Sequence, residues 1–277
     1  MRKAQTAHFL FTVLICLFLV ALLASAEVRP AVYSNGSLKG SYSFLTNKWL
    51  TDPDSQTPHA ILGIMNFDGL GNATAALTDN NNGTVITATG TGTYSVAKDG
   101  TGSISWTDSN GGHATQIIVL DAAGKGFQGL TTSCTGCDTS VYSYTAVKMG
   151  ASSFSSASLK GNFEWMLTKW TSSQNSTAAC SLGRLTFDGV SKVKGTGTDV
   201  SGSGIQSSNW AGTYSVNPYG SGSVTVTDQY NNSFTIAFVL NSANPTTSVA
   251  KGAQLMVTAC NTCGITGAVN TGTATKQ

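Results

Sequence analysis

The residues with the most specific chemistry in this 277-residue sequence are four cysteines in two matching pairs, Cys134-Thr135-Gly136-Cys137 and Cys260-Asn261-Thr262-Cys263. Positions i and i+3 of a turn lie within about 7 Å at Cα, and a disulfide spans about 4.4–6.8 Å. Each pair therefore reads as a small disulfide closing a hairpin. A redox pair would need an acidified thiol, usually at a helix N-terminus, and no helix is expected beside either pair. Four thiolates would satisfy a zinc ion, but 122 residues separate the two pairs and no metal is expected. Cys180 has no counterpart. It reads as a free thiol buried in a strand, with exchange into a bridge to Cys260 or Cys263, or an intermolecular bond, as the alternatives.

Catalytic sets are nearly absent, and no catalytic residue is assigned. His59 and His113 read as solvated loop residues rather than bases or ligands. There is no Gly-x-Ser-x-Gly elbow, His-Glu-x-x-His or phosphate-binding loop. Asp68 and Asp188 recur in equivalent Phe-Asp-Gly turns, where an Asp side chain caps backbone N–H groups. Glu164 has Ser43 at the equivalent place, so no carboxylate pair recurs in the repeat. Asp79–Asn82 lacks the spaced acidic residues of a calcium loop and reads as a polar turn. No cofactor is expected.

Only 10% of the residues are charged, against about 25% in ordinary soluble domains. Residues 1–26 read as a signal peptide. Arg2 and Lys3 precede an apolar run from Phe9 to Leu23, and Ala24-Ser25-Ala26 supplies the small residues of a cleavage site. Removing Arg2 and Lys3 from 15 basic residues leaves 13, against 13 acidic. A neutral chain has no electrostatic footprint for nucleic acid. No membrane span is expected after cleavage, and the destination is secreted or periplasmic, an oxidising setting.

The elements that must position these residues come in duplicate. Ser37-Leu38-Lys39-Gly40 returns as Ser158-Leu159-Lys160-Gly161, and Phe67-Asp68-Gly69 as Phe187-Asp188-Gly189. Gly92-Thr93-Tyr94-Ser95-Val96 returns as Gly212-Thr213-Tyr214-Ser215-Val216, and the cysteine pairs follow in the same order. A repeat of this length is a whole small domain. The expected organisation is repeat 1 at 36–148, a Ser-rich linker at 149–158 and repeat 2 at 159–275. Phe234, Ile236, Phe238 and Leu240 alternate with smaller or outward residues, and Gly, Asn and Asp clusters divide such segments. Strands are expected near 40–46, 60–67, 72–78, 85–96, 101–107, 114–120, 126–133 and 140–148 of the first unit. Short turns throughout favour two all-β, antiparallel up-and-down barrels of about eight strands each, which have no open edges. Two-sheet sandwiches are the alternative.

The Leu-Lys-Gly-x-aromatic opening, the Phe-Asp-Gly turn and the Gly-Thr-Tyr-Ser-Val step resemble a group of uncharacterised secreted acidobacterial proteins, which implies no activity. Gly40-Ser41-Tyr42 and Gly161-Asn162-Phe163 resemble the Gly-x-Trp opening of the lipocalin and wider calycin barrels, with Tyr or Phe in place of Trp. That resemblance implies a barrel shape. An eight-stranded barrel is just wide enough to be filled by side chains or to hold one small ligand. Tyr42, Phe44, Trp49, Phe67, Tyr94 and Trp106, with Phe163, Trp165, Trp170, Phe187 and Tyr214, are the candidate lining. The functional expectation is a non-enzymatic binding protein for a small apolar ligand or glycan. A structural or adhesive cell-envelope protein with filled barrels is the first alternative, and a barrel isomerase or cyclase the second.

Overall fold

A computed structural model describes residues 32–49, 59–122, 124–135, 141–150, 153–171, 179–201, 204–241, 250–260 and 268–277. The expected signal peptide, and Cys137 and Cys263, lie outside these. Among the described residues there is no α-helix, only two single turns of 3-10 helix, Asn35–Ser37 and Ser156–Leu159. Sixteen strands form two closed antiparallel barrels, each a simple meander. The first comprises β1 (Lys39–Trp49), β2 (His59–Asp68), β3 (Asn72–Asn81), β4 (Thr84–Val96), β5 (Thr101–Asp108), β6 (His113–Leu120), β7 (Gly126–Thr135) and β8 (Val141–Lys148). The second comprises β9 (Gly161–Thr171), β10 (Ala179–Phe187), β11 (Lys192–Ser201), β12 (Gly204–Val216), β13 (Ser221–Asp228), β14 (Ser233–Asn241), β15 (Gly252–Cys260) and β16 (Ala268–Lys276).

Closure comes from β1 pairing with β8, and β9 with β16. It satisfies the edge groups that a flat meander would leave open. The duplication extends to irregularities: a register shift falls at Thr115/Gln116 in one barrel and at Thr235/Ile236 in the other. The Phe-Asp-Gly turns work by the chemistry expected. Asp68 Oδ1 accepts from the N–H groups of Leu70, Gly71 and Asn72 at 2.6–3.0 Å. Asp188 Oδ1 accepts from Val190, Ser191 and Lys192 at 2.7–3.0 Å. Gly69 and Gly189 adopt φ of +83° and +86°, a left-handed conformation that side-chain-bearing residues rarely take.

Inward-facing residues alternate with outward ones, and each barrel has an aromatic core. The outer walls are not all solvated. Leu45, Ala60, Leu62 and Ile64, on the outside of β1 and β2, join the same buried cluster as Val239 and Met256 on the outside of β14 and β15. Two hydrogen bonds cross this seam, from Gln254 Nε2 to the Thr145 carbonyl at 3.0 Å and from Asn80 Nδ2 to the Val257 carbonyl at 2.9 Å. Around the Ser-rich connection, Met149 and Phe154 are buried. The Phe154 N–H donates to the Pro218 carbonyl, and the Met149 N–H to that of Ser41, so both barrels hold this segment.

Four expectations need correction. Cys180 is free but exposed, because its side chain falls on the outer parity of β10, where Leu182 also points outward. His59 is not a loop residue: it opens β2 and is half-buried. His113, though exposed, likewise opens a strand, β6. Asp79–Asn81 close β3 rather than forming a turn, with Asn80 buried.

Candidate functional site

Seven of the sequence-predicted aromatics pack against other rings. In the first barrel Phe67 meets Tyr42, Tyr94 and Phe127 edge-on or tilted, at ring separations of 5.0–5.7 Å. In the second, Phe187 meets Phe163 and Tyr214 at 5.6 and 4.9 Å, and Trp165 meets Trp210 at 4.7 Å. These are the favoured offset and edge-to-face arrangements of core aromatics. Glycines on the facing strands admit the rings. A Cβ on Gly63 would lie 2.7 Å from Phe44, and one on Gly92 2.9 Å from Trp106. Trp106 Nε1 donates to Gln116 Oε1 at 3.0 Å. Burial pushes the Tyr42 hydroxyl up to about 12, and burial with the nearby Asp188 carboxylate does the same to Tyr214. The side chains of Trp49 and Trp170 lie outside the described residues.

Phe127, Tyr144, Trp210 and Phe234 complete these clusters without having been singled out as lining. Trp210 has a glycine, Gly90, at the equivalent place in the first barrel, so a search for recurring aromatics passes over it. Inward parity along β12, shared with Tyr214, was the available signal.

One polar constellation was also missed. His59 Nε2 meets Asp79 Oδ1 at 2.5 Å, and His59 Nδ1 meets the Tyr142 hydroxyl at 3.2 Å. The imidazole and the phenol ring stand edge to face. His59 and Asp79 come from paired strands, opposite Asn81 and Ile61 respectively. Because both imidazole nitrogens are engaged within this group, the arrangement is a strap tying β2, β3 and β8 at one end of the barrel. Among the described residues no group of three or more His, Cys, Asp or Glu side chains could hold a metal ion. Cys134 is the penultimate residue of β7 and Cys260 the last of β15.

A cleft with room for a ligand lies outside the barrels. It has a volume of about 820 Å³ and runs between them. One wall is the outside of β2, β3 and β4, with Ile64, Asn66, Thr78, Thr87 and Thr89. The other is the turn Asn217-Pro218-Tyr219 and the outside of β14, with Phe154 and Met149 between. Tyr219 is largely exposed, held at its backbone by a bond from its N–H to Asn217 Oδ1 at 2.9 Å. Among the described residues no Asp, Glu, Lys, Arg or His lines the cleft. Its chemistry is hydroxyls, amides, short apolar side chains and one exposed aromatic ring.

No family model matches this chain, and no curated protein does. Among solved structures it is similar to a protein of unknown function from the DUF3598 family of Nostoc punctiforme. That likeness has 10% identity and a TM-score of 0.26, and it covers 88% of this chain and 99% of that one. It is also similar to intact Ap-TbpB with its N and C lobes, at 8% identity and a TM-score of 0.27, covering 90% of this chain and 77% of that one. Likeness this slight carries no argument about function. Among the described residues no helix is long and apolar enough to cross a membrane.

Proposed function

We propose that this chain is an exported, non-enzymatic binding protein for a neutral glycan, and that the cleft between the barrels is its site. The observation that carries the reading is the cleft lining: an exposed Tyr219 ring beside Asn and Thr side chains, with no Asp, Glu, Lys, Arg or His among the described residues. A sugar presents a C–H face that packs on an aromatic ring and hydroxyls that exchange hydrogen bonds with amides and hydroxyls. A charged ligand would find no counter-ion there. Of the aromatics first expected to line the site, Tyr42, Phe67, Tyr94, Phe163, Trp165, Phe187 and Tyr214 pack against neighbouring rings, which favours the cleft over the barrel interiors as the place for a ligand.

The test uses chain purified from an exporting host. Its intact mass should lack residues 1–26 and lie about 4 Da below the reduced value, two protons and two electrons per bridge, if both cysteine pairs are closed. Calorimetric titration with neutral oligosaccharides should then give binding that Tyr219→Ala weakens about tenfold, the order of one aromatic contact. Binding indifferent to Tyr219→Ala, or confined to charged sugars, would sink this reading. A structural or adhesive role is the second reading, favoured by the ring-on-ring packing of the barrel aromatics and by apolar side chains on the outer walls.

A further inference from the structure

The seam between the barrels uses one face of each, and the duplication places a second copy of both faces on the outside of the molecule. In the seam, the outside of β1 and β2 lies on the outside of β14 and β15. Its apolar contacts are fully enclosed, with Leu45 and Leu62 at 8% and 2% exposure and Val239 and Met256 at 2% and 0%. The equivalent of β1–β2 in the second barrel is β9–β10. There the cross-strand pair Leu45–Leu62 becomes Met166–Leu182, at 55% and 53% exposure. The equivalent of β14–β15 in the first barrel is β6–β7. There Val239–Gln254 and Ala237–Met256 become Val119–Gln128 and Ile117–Leu130 in the same register, with Val119 and Leu130 at 58% and 45% exposure.

We propose that the chain associates with a second copy of itself by repeating this seam between molecules, the β9–β10 face of one chain docking on the β6–β7 face of the next. The occupant follows from continuity with the seam already formed. A face of the first kind fits one of the second kind, and each molecule carries one unpaired example of both. Exposed apolar pairs on sheet faces mark such contacts. The polar link repeats as well. Gln254 donates to the Thr145 carbonyl in the seam. Gln128 stands at the equivalent position of β7, and Thr273, opposite Met166 on β16, stands where Thr145 lies opposite Leu45. Two changes make the intermolecular seam the weaker one. Glu164 and Arg184, opposite each other, replace Ser43 and Ile64, and Cys180 replaces Ala60. The contact is heterologous, so it grows into a ring or an open filament rather than stopping at a symmetric dimer.

The experiment is sedimentation of wild-type chain, Val119→Glu, Leu182→Glu and an equimolar mixture of the two variants across a concentration series. Wild-type mass should rise through twice the monomer and beyond. Each variant alone should remain monomeric, because it keeps only one working face. The mixture should form dimers and stop there, one variant supplying β9–β10 and the other β6–β7. Alkylation of Cys180 by iodoacetamide should slow in wild type as assembly proceeds, since the equivalent Ala60 is buried in the seam. Leu130→Glu and Met166→Glu serve as the pair if either first variant melts early. A wild type monomeric at every concentration, a single variant that still self-associates, or a mixture that stays monomeric would overturn the proposal.

Discussion

Asp68 shows how much organisation one side chain supplies. Its carboxylate accepts the Asn72 side-chain amide at 2.6 Å as well as three backbone N–H groups. These bonds, the Asn72 amide first, hold its pKa down from 3.8 to about 2. A depressed carboxyl pKa stabilises the fold above the unfolded value, and that contribution is lost as pH falls through the folded one. The relevant window therefore runs from about pH 4 down to about pH 2. Asp188 is shifted in the same direction, by the Val190 N–H first, but Lys192 stands where Asn72 donates its amide. Asp68→Asn should flatten the dependence of melting temperature on pH across that window, and more than Asp188→Asn. Equal slopes in wild type and Asp68→Asn would refute the assignment. Both aspartates were legible as turn residues because Asp-Gly after an aromatic strand end has one common use. The His59–Asp79–Tyr142 strap was not, since its members lie 20 and 83 residues apart and, although Asp79 returns as Asp199, His59 and Tyr142 have no counterpart in the second barrel.

Strands were read almost to their ends: β4 was expected at 85–96 and spans Thr84–Val96, and β2 was expected at 60–67 and spans His59–Asp68. Period-two alternation and glycine-rich turns are local signals, so they survive in a linear reading. What alternation cannot say is whether the inner face encloses space. That depends on which inward residue of one strand meets which of another across the barrel. Gly197 sits between Trp165 and Trp210, and a Cβ there would lie 2.9 and 2.7 Å from their rings. Gly197→Ala should therefore cost about 1–3 kcal/mol through overpacking, lowering the melting temperature by roughly 2–4 °C per kcal/mol. A neutral substitution would mean that the rings have room to retreat, reopening the case for a ligand within the second barrel.

The two barrels are continuous through their seam, with Leu45, Leu62 and Ile64 of the first counted in the core of the second. Calorimetry should accordingly record one cooperative unfolding transition, and two resolved transitions would show that the seam is too weak to couple them. The duplication, the all-β class, about eight strands per unit and the turn chemistry were determined by the sequence alone, because each depends on residues near one another along the chain, whereas the choice of barrel over sandwich was not. The closure of the barrels, the packing of their aromatic rings on one another, the outward aim of Cys180, the cleft beside Tyr219 and the unequal fate of equivalent faces were decided only by the tertiary structure. Leu62 and Leu182 occupy the same position of the same repeat. One is buried and the other half exposed because a barrel lies against the first and not the second.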